Sequence, residues 1–107
     1  MANVYKNAKL DLTTTGATVL YTGAAAKTAI FKSILVSEDS GNADTITVTI
    51  TDAATAVFSL FKVKAVSANT TVELLTAPLV VETGEIIKVT AATANRLHVV
   101  ASYLEVS

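Results

Sequence analysis

The segment Thr45-Ile46-Thr47-Val48-Thr49-Ile50-Thr51 alternates threonine with an aliphatic residue at every step. Side chains leave a β-strand in opposite directions by turns, so this stretch reads as a strand with two chemically distinct faces. Ile46, Val48 and Ile50 are expected on a core, and Thr45, Thr47, Thr49 and Thr51 on the other side. The four threonines form a row of uncharged hydroxyls and are the candidate partner-contact residues. A charge at Val48 is expected to unfold the domain, whereas Thr47→Ala and Thr49→Ala are expected to leave folding nearly intact.

The flanking sequence extends the same pattern. Before the quoted strand, Lys27 to Ser37 (KTAIFKSILVS) is apolar on both alternating sets, with Ala29, Phe31 and Leu35 on one and Ile30, Ile34 and Val36 on the other. A strand apolar on both sides reads as central in its sheet. The polar loop Glu38 to Asp44 then joins it to the quoted strand, and the two are expected to form a hairpin. Asp52 to Thr55 makes a turn into a strand over Ala56 to Lys64, and Ser67 to Asn69 forms the next loop.

Further strands are expected over Val4 to Leu12, Ala17 to Thr22, Thr70 to Thr76, Glu85 to Ala91 and Leu97 to Val106, with Pro78 interrupting a strand or marking an edge. β-branched residues prevail throughout, and they lose rotamer freedom in helices while packing well on a pleated sheet. GAAAKTA near Gly23 and AATA near Ala91 are shorter than the ~12 residues an isolated helix needs. About eight short antiparallel strands with regular turn signals predict an all-β chain, a single jelly-roll-like β-sandwich over residues 1–107. Residues 1–7 are a candidate N-terminal arm.

Composition narrows the chemistry. The 107 residues are 51% hydrophobic with a net charge of -1, and the eight basic residues are scattered among acids. A nucleic-acid binder must neutralise several phosphates with clustered Lys and Arg, so that class is excluded. No stretch approaches the ~18 apolar residues of a membrane-spanning helix, and the chain is expected to be soluble and unprocessed. With no cysteine it has neither a disulfide nor a thiolate metal ligand. A mean hydropathy of +0.54 is high for a small domain and suggests surface buried against partners.

Catalysis lacks convergent groups. His98 is the sole histidine, within an apolar strand, and no serine sits in a G-x-S-x-G elbow. Glu73, Glu82, Glu85 and Glu105 are the carboxylates available for glycoside hydrolysis, but aromatic residues are sparse for a sugar platform. Tyr5, Tyr21 and Tyr103 suit buried or interfacial packing better. Glu38, Asp39 and Asp44 offer oxygen ligands for calcium, but their spacing is not that of an EF-hand and acidic residues are ordinary in turns. The threonine row is not repeated in AVFSLFKVK or EIIKVTA, which excludes a flat ice-binding array. No enzyme activity, cofactor or metal is expected.

Tyr21-Thr22, Lys27-Thr28-Ala29, Leu75-Thr76-Ala77-Pro78-Leu79 and Gly84-Glu85 resemble the turns and strand starts of small β-sandwich virion proteins of tailed bacteriophages. The resemblance spans about residues 20 to 107 and departs from the group's Pro-Ala-Gly turn at Gly23-Ala24-Ala25-Ala26. It implies a virion protein made in a bacterial host without choosing its place on the particle, and a capsid decoration, or cement, role on the head is the first expectation. The alternatives are a neck, tail or fibre-attachment module and, from a different class, a carbohydrate-binding module. The implied partners are the major capsid protein or other virion proteins, and further copies of itself in a homo-oligomer, a trimer among the options.

Overall fold

The computed structural model describes residues 3–107. They form nine strands: β1 (Asn3–Asp11), β2 (Thr18–Thr22), β3 (Thr28–Glu38), β4 (Asp44–Thr51), β5 (Val57–Val66), β6 (Thr71–Glu73), β7 (Leu79–Val81), β8 (Ile86–Ala91) and β9 (Leu97–Val106). One sheet has the order β1-β9-β3-β6, with β7 also paired to β3, and the other has the order β2-β8-β4-β5. Every pairing is antiparallel. If β6 and β7 count as one broken strand, this is the jelly-roll order, in which the chain crosses between sheets at nearly every turn.

The expected strand over Thr70 to Thr76 ends early because Glu73 turns its carboxylate back onto the main chain. It accepts from the amides of Ile34 and Leu75, at 2.9 and 3.2 Å, and from the Ser33 hydroxyl. Pro78 then lacks the amide a continuous ladder would need, and pairing with β3 resumes at Leu79.

The expected hairpin between β3 and β4 does not form. The two strands belong to different sheets, and Ile34, Val36, Ile46 and Val48, all with no exposed surface, contribute to one core from both layers. An apolar face on each strand is satisfied by facing another layer as well as by lying beside a neighbour, so alternation alone does not distinguish the two arrangements. β4 pairs instead with β5 and β8.

Ile46 and Val48 occupy the core as their alternation predicts, while Ile50 is half-buried near the end of the strand. Burying one such aliphatic side chain contributes ~1.5–3 kcal/mol. At that end of the sandwich Tyr21, Phe31 and Tyr103 gather with ring centroids 4.8 to 5.2 Å apart, Phe31 and Tyr103 stacked. Of the candidate N-terminal arm, residues 1 and 2 lie outside the described residues. Asn3 to Asn7 belong to β1, in register with β9 from Asn3 opposite Val106 onward.

Gly23 locks the crossing from β2 to β3. Its amide donates to the Glu85 carbonyl at 2.8 Å and its carbonyl accepts from the Gly84 amide at 3.1 Å. A Cβ there would sit 2.1 Å from the Glu82 carbonyl oxygen, so only glycine allows the approach. The Thr83 hydroxyl lies 3.0 Å from both the Ala24 and Lys27 carbonyls, which ties the alanine turn to the β7–β8 loop.

Candidate interaction surfaces

Thr45, Thr47, Thr49 and Thr51 all lie on the outer side of the β2-β8-β4-β5 sheet, and all four are half-buried between their neighbours. Thr47 stands opposite Thr90, Thr49 opposite Lys88 and Ser59, and Thr51 opposite Ile86 and Val57. Thr47 has a structural duty as well. The pairing of β4 with β5 slips between Ile46 and Val48, leaving an extra residue in β5, and the freed amide of Val63 donates to the Thr47 hydroxyl at 3.0 Å. Val63 takes φ 53° there, in a region β-branched residues seldom enter.

The outer side of the other sheet is more apolar. Register alone lines up Val80, Ile30, Leu104 and Tyr5 across four strands, one directly beside the next. A second line runs Glu73, Leu35, Val100 and Lys9. Between them lie the small polar residues Ser33, Ser102 and Asn7. Tyr5 is 74% exposed and Val80 51%, so this is surface rather than covered core. Large apolar side chains grouped on an exterior face mark a contact site more readily than isolated ones do.

The sequence signalled a second apolar face but not its members, because the register slip between Phe31 and Ser33 sends Ile34 and Val36 to the core beside Ala29 and Phe31 and leaves Ile30 and Leu35 outside, mixing the two alternating sets. Lys27 to Ser37 and Leu97 to Val106 are apolar on both alternating sets, which fits a central strand buried twice over. Here β3 and β9 are central in their sheet, but nothing in the described chain covers their second face.

An open groove of about 280 Å3 lies at the opposite edge, where β5 passes the broken β6–β7 strand, lined by Leu60, Phe61, Leu74, Leu75, Pro78 and Leu79 among others. Earlier on β5, Val57 and Phe58 are more than half exposed.

The acidic candidates do not converge. Glu38 is buried, and its carboxylate accepts from the amides of Ser40, Gly41, Asn42 and Asn69 at 2.9 to 3.2 Å and from the Ser40 hydroxyl. Burial pushes its pKa up, but these donors outweigh it and hold the group at about 2. Asp44 accepts from the Thr93 amide at 3.1 Å, on another side of the loop. Asp39 points outward, 3.6 Å from His98 Nδ1, while His98 Nε2 lies 3.3 Å from Asp11. His98 thus bridges two exposed carboxylates on the outside of β9. Among the described residues no group of three His, Asp or Glu side chains is arranged to hold a metal ion.

The other carboxylates serve separate roles. Glu85 accepts from the Glu82 amide at 2.7 Å, and Glu105 points inward beneath the aromatic cluster. Lys6 Nζ lies 2.9 Å from Glu105, Lys27 Nζ 3.5 Å, and the Tyr21 hydroxyl donates to it at 3.1 Å. The Lys6 hydrogen bond holds the Glu105 carboxyl below its ordinary range against the opposing effect of burial. Burial, aided by the bond to Glu105, pushes the Tyr21 phenol up to about 12. Lys6 and Lys27 share the one Glu105 carboxylate, and the group closes the end of the core. Of the three tyrosines, Tyr21 and Tyr103 pack inside and Tyr5 stands outside.

No family model and no curated protein matches the chain. Among solved structures it is similar to a chain of Bacillus endospore appendages, a family of disulfide-linked pili, at 11% identity and a TM-score of 0.58, covering 98% of this chain and 88% of that one. It also aligns with a chain of infectious bursal disease virus, Gt strain, at 8% identity and a TM-score of 0.47, over 98% of this chain and 30% of that one. At such identities the endospore-appendage likeness shows a shared fold, a two-sheet β-sandwich that spans nearly the whole of this chain.

Proposed function

We propose that the chain is a structural subunit that works by contact rather than catalysis, and that it serves as a capsid decoration protein on the outer surface of a phage head. The observation that carries this reading is the apolar line Val80, Ile30, Leu104 and Tyr5 on the outside of a rigid sheet. A decoration protein needs such a face, a stiff core behind it, and many symmetry-related copies whose weak contacts sum. The resemblance of residues 20 to 107 to phage virion proteins supports a phage particle as the location, and a decoration role would make the major capsid protein the partner.

The test adds purified protein to undecorated heads and measures co-sedimentation. Binding is expected for the native chain and for Thr49→Ala, and at least tenfold weaker binding for Leu104→Glu at an unchanged melting temperature. Binding confined to necks or tails, or unaffected by Leu104→Glu, would overturn it.

A fibre subunit is the second reading, favoured by the likeness to the endospore appendage chain. That neighbour belongs to disulfide-linked pili, whereas this chain contains no cysteine, so a fibre built from it would be held by non-covalent contacts alone. Filaments grown from the purified protein by itself would favour this reading.

A further inference from the structure

Four strand edges end the two sheets, and three of them carry features that block pairing with another strand. β5 slips register twice against β4, holds Val63 in a left-handed conformation and carries Lys62 and Lys64. β2 is five residues long with a slip between Val19 and Tyr21. β6 and β7 are three residues each, separated by Pro78. Bulges, lysines, proline and short length are the means by which sheets protect their edges. β1 also carries two lysines, Lys6 and Lys9, but it differs in having nine residues in unbroken register against β9, with no bulge or proline, and in Asn3 to Asn7 all being exposed.

The direction of its free hydrogen-bonding groups follows from one bond. The Leu12 amide donates to the Leu97 carbonyl at 3.0 Å, in line with the β1–β9 register. Antiparallel ladders alternate, so the even residues of β1 bond to β9 and Tyr5, Asn7 and Lys9 direct their amides and carbonyls to the open side.

We propose that two copies of this chain pair through β1, antiparallel about a two-fold axis at Asn7, to join their sheets into one. Asn7 then stands opposite the partner's Asn7, Tyr5 opposite the partner's Lys9, and Asn3 opposite the partner's Asp11. Each Tyr5 ring receives a lysine side chain, a favourable cation–aromatic contact. On the inner side Val4, 44% exposed in one copy, gains the partner's Leu10 as neighbour. Lys6 brings no unpaired charge to the junction, because Glu105 lies 2.9 Å from it.

The same register aligns the outer surfaces. The line Val80, Ile30, Leu104 and Tyr5 of one copy continues through the partner's Lys9 into the partner's Val100 and the partner's Leu35, so the apolar residues of the two lines form one row across the joined sheet, interrupted only by that lysine. A shift of two residues either way would break that continuity and shorten the overlap. The pairing does not depend on which particle, if any, the row contacts.

Sedimentation equilibrium and concentration-dependent amide exchange on the full chain test it. A dimer is expected in which the amides of Tyr5, Asn7 and Lys9 exchange more slowly as concentration rises, while those of β2 and β5 do not. Asn7→Pro removes an amide that faces the open side and leaves the β9 ladder intact, so it is expected to give a monomer that still melts cooperatively. Asn7→Cys introduces the only thiol, and mild oxidation is expected to give a covalent dimer, because opposed strand residues lie within disulfide reach at about 5.5 Å between Cα atoms. Val19→Cys on the β2 edge serves as the control and is expected to stay monomeric. A native chain that remains monomeric up to about 1 mM, a dimer whose protected amides lie on β2 or β5, or Asn7→Cys that oxidises no faster than Val19→Cys would overturn the proposal. Head binding is read separately, by co-sedimentation.

Discussion

Glu38 is a carboxylate placed inside the fold and surrounded by main-chain amides from its own loop and from Asn69. Its folded-state pKa of about 2 lies below the ordinary 4.5, so the ionised form favours the fold. The stability it contributes is complete above 4.5 and is lost as pH falls through about 2. Urea titrations at stepped pH are expected to show native stability falling across that window. Glu38→Gln is expected to be less stable at pH 7, with a shallower fall, because an amide group turns donors toward donors. Thr47 and Thr49, alike in sequence, diverge for a related reason. Thr47→Ala strands the Val63 amide and is expected to cost about 1 kcal/mol, whereas Thr49→Ala is expected to stay within about 0.5 kcal/mol in the same urea assay.

At the scale of elements, β5 carries the largest departure from regular pairing. Its slips against β4 place Val63 at φ 53°, a conformation that costs a branched side chain roughly 1–2 kcal/mol. Val63 is 59% exposed and gives up little burial when replaced. Val63→Asn is therefore expected to raise stability by about 0.5–1 kcal/mol, and Val63→Ile to give none of that gain, by thermal melts. The bulge was not legible in AVFSLFKVK, since an extra residue is defined only by the strand opposite. The β3–β4 crossing was hidden in the same way, because two strands that share a core read alike whether they lie side by side or face to face. Glu38 marked the place as a turn but not that its carboxylate would become the turn's centre.

Over the whole molecule, one core holds both layers, and the aromatic cluster closes one end of it. Phe31, with no exposed surface and contacts to Tyr21 and Tyr103, is expected to cost about 3–5 kcal/mol when changed to Ala. Phe58→Ala, at a 54% exposed position, is expected to change stability by less than about 0.5 kcal/mol. Calorimetry on the two variants checks the contrast. The two sheets differ in how their exposed apolar side chains are grouped. One presents the half-buried threonines of β4, with Val19, Val57 and Val63 exposed on its edge strands, and the other lines up Tyr5, Val80, Leu35 and Val100 across neighbouring strands.

Local alternation determined the strand-rich all-β chain and the inward set Ile46 and Val48, because each depends on side-chain direction along a single strand, whereas the jelly-roll order depends on which strands pair. The threonines of β4 were likewise legible as its outer face. Tertiary structure alone decided which strands became neighbours, that Thr47 would hold a bulge, that Glu38 would be caged by amides, and that the two-sided apolar strands β3 and β9 would leave one side uncovered. Those outcomes depend on register and layer, which arise between segments distant in the chain, and no single segment encodes what will lie opposite it.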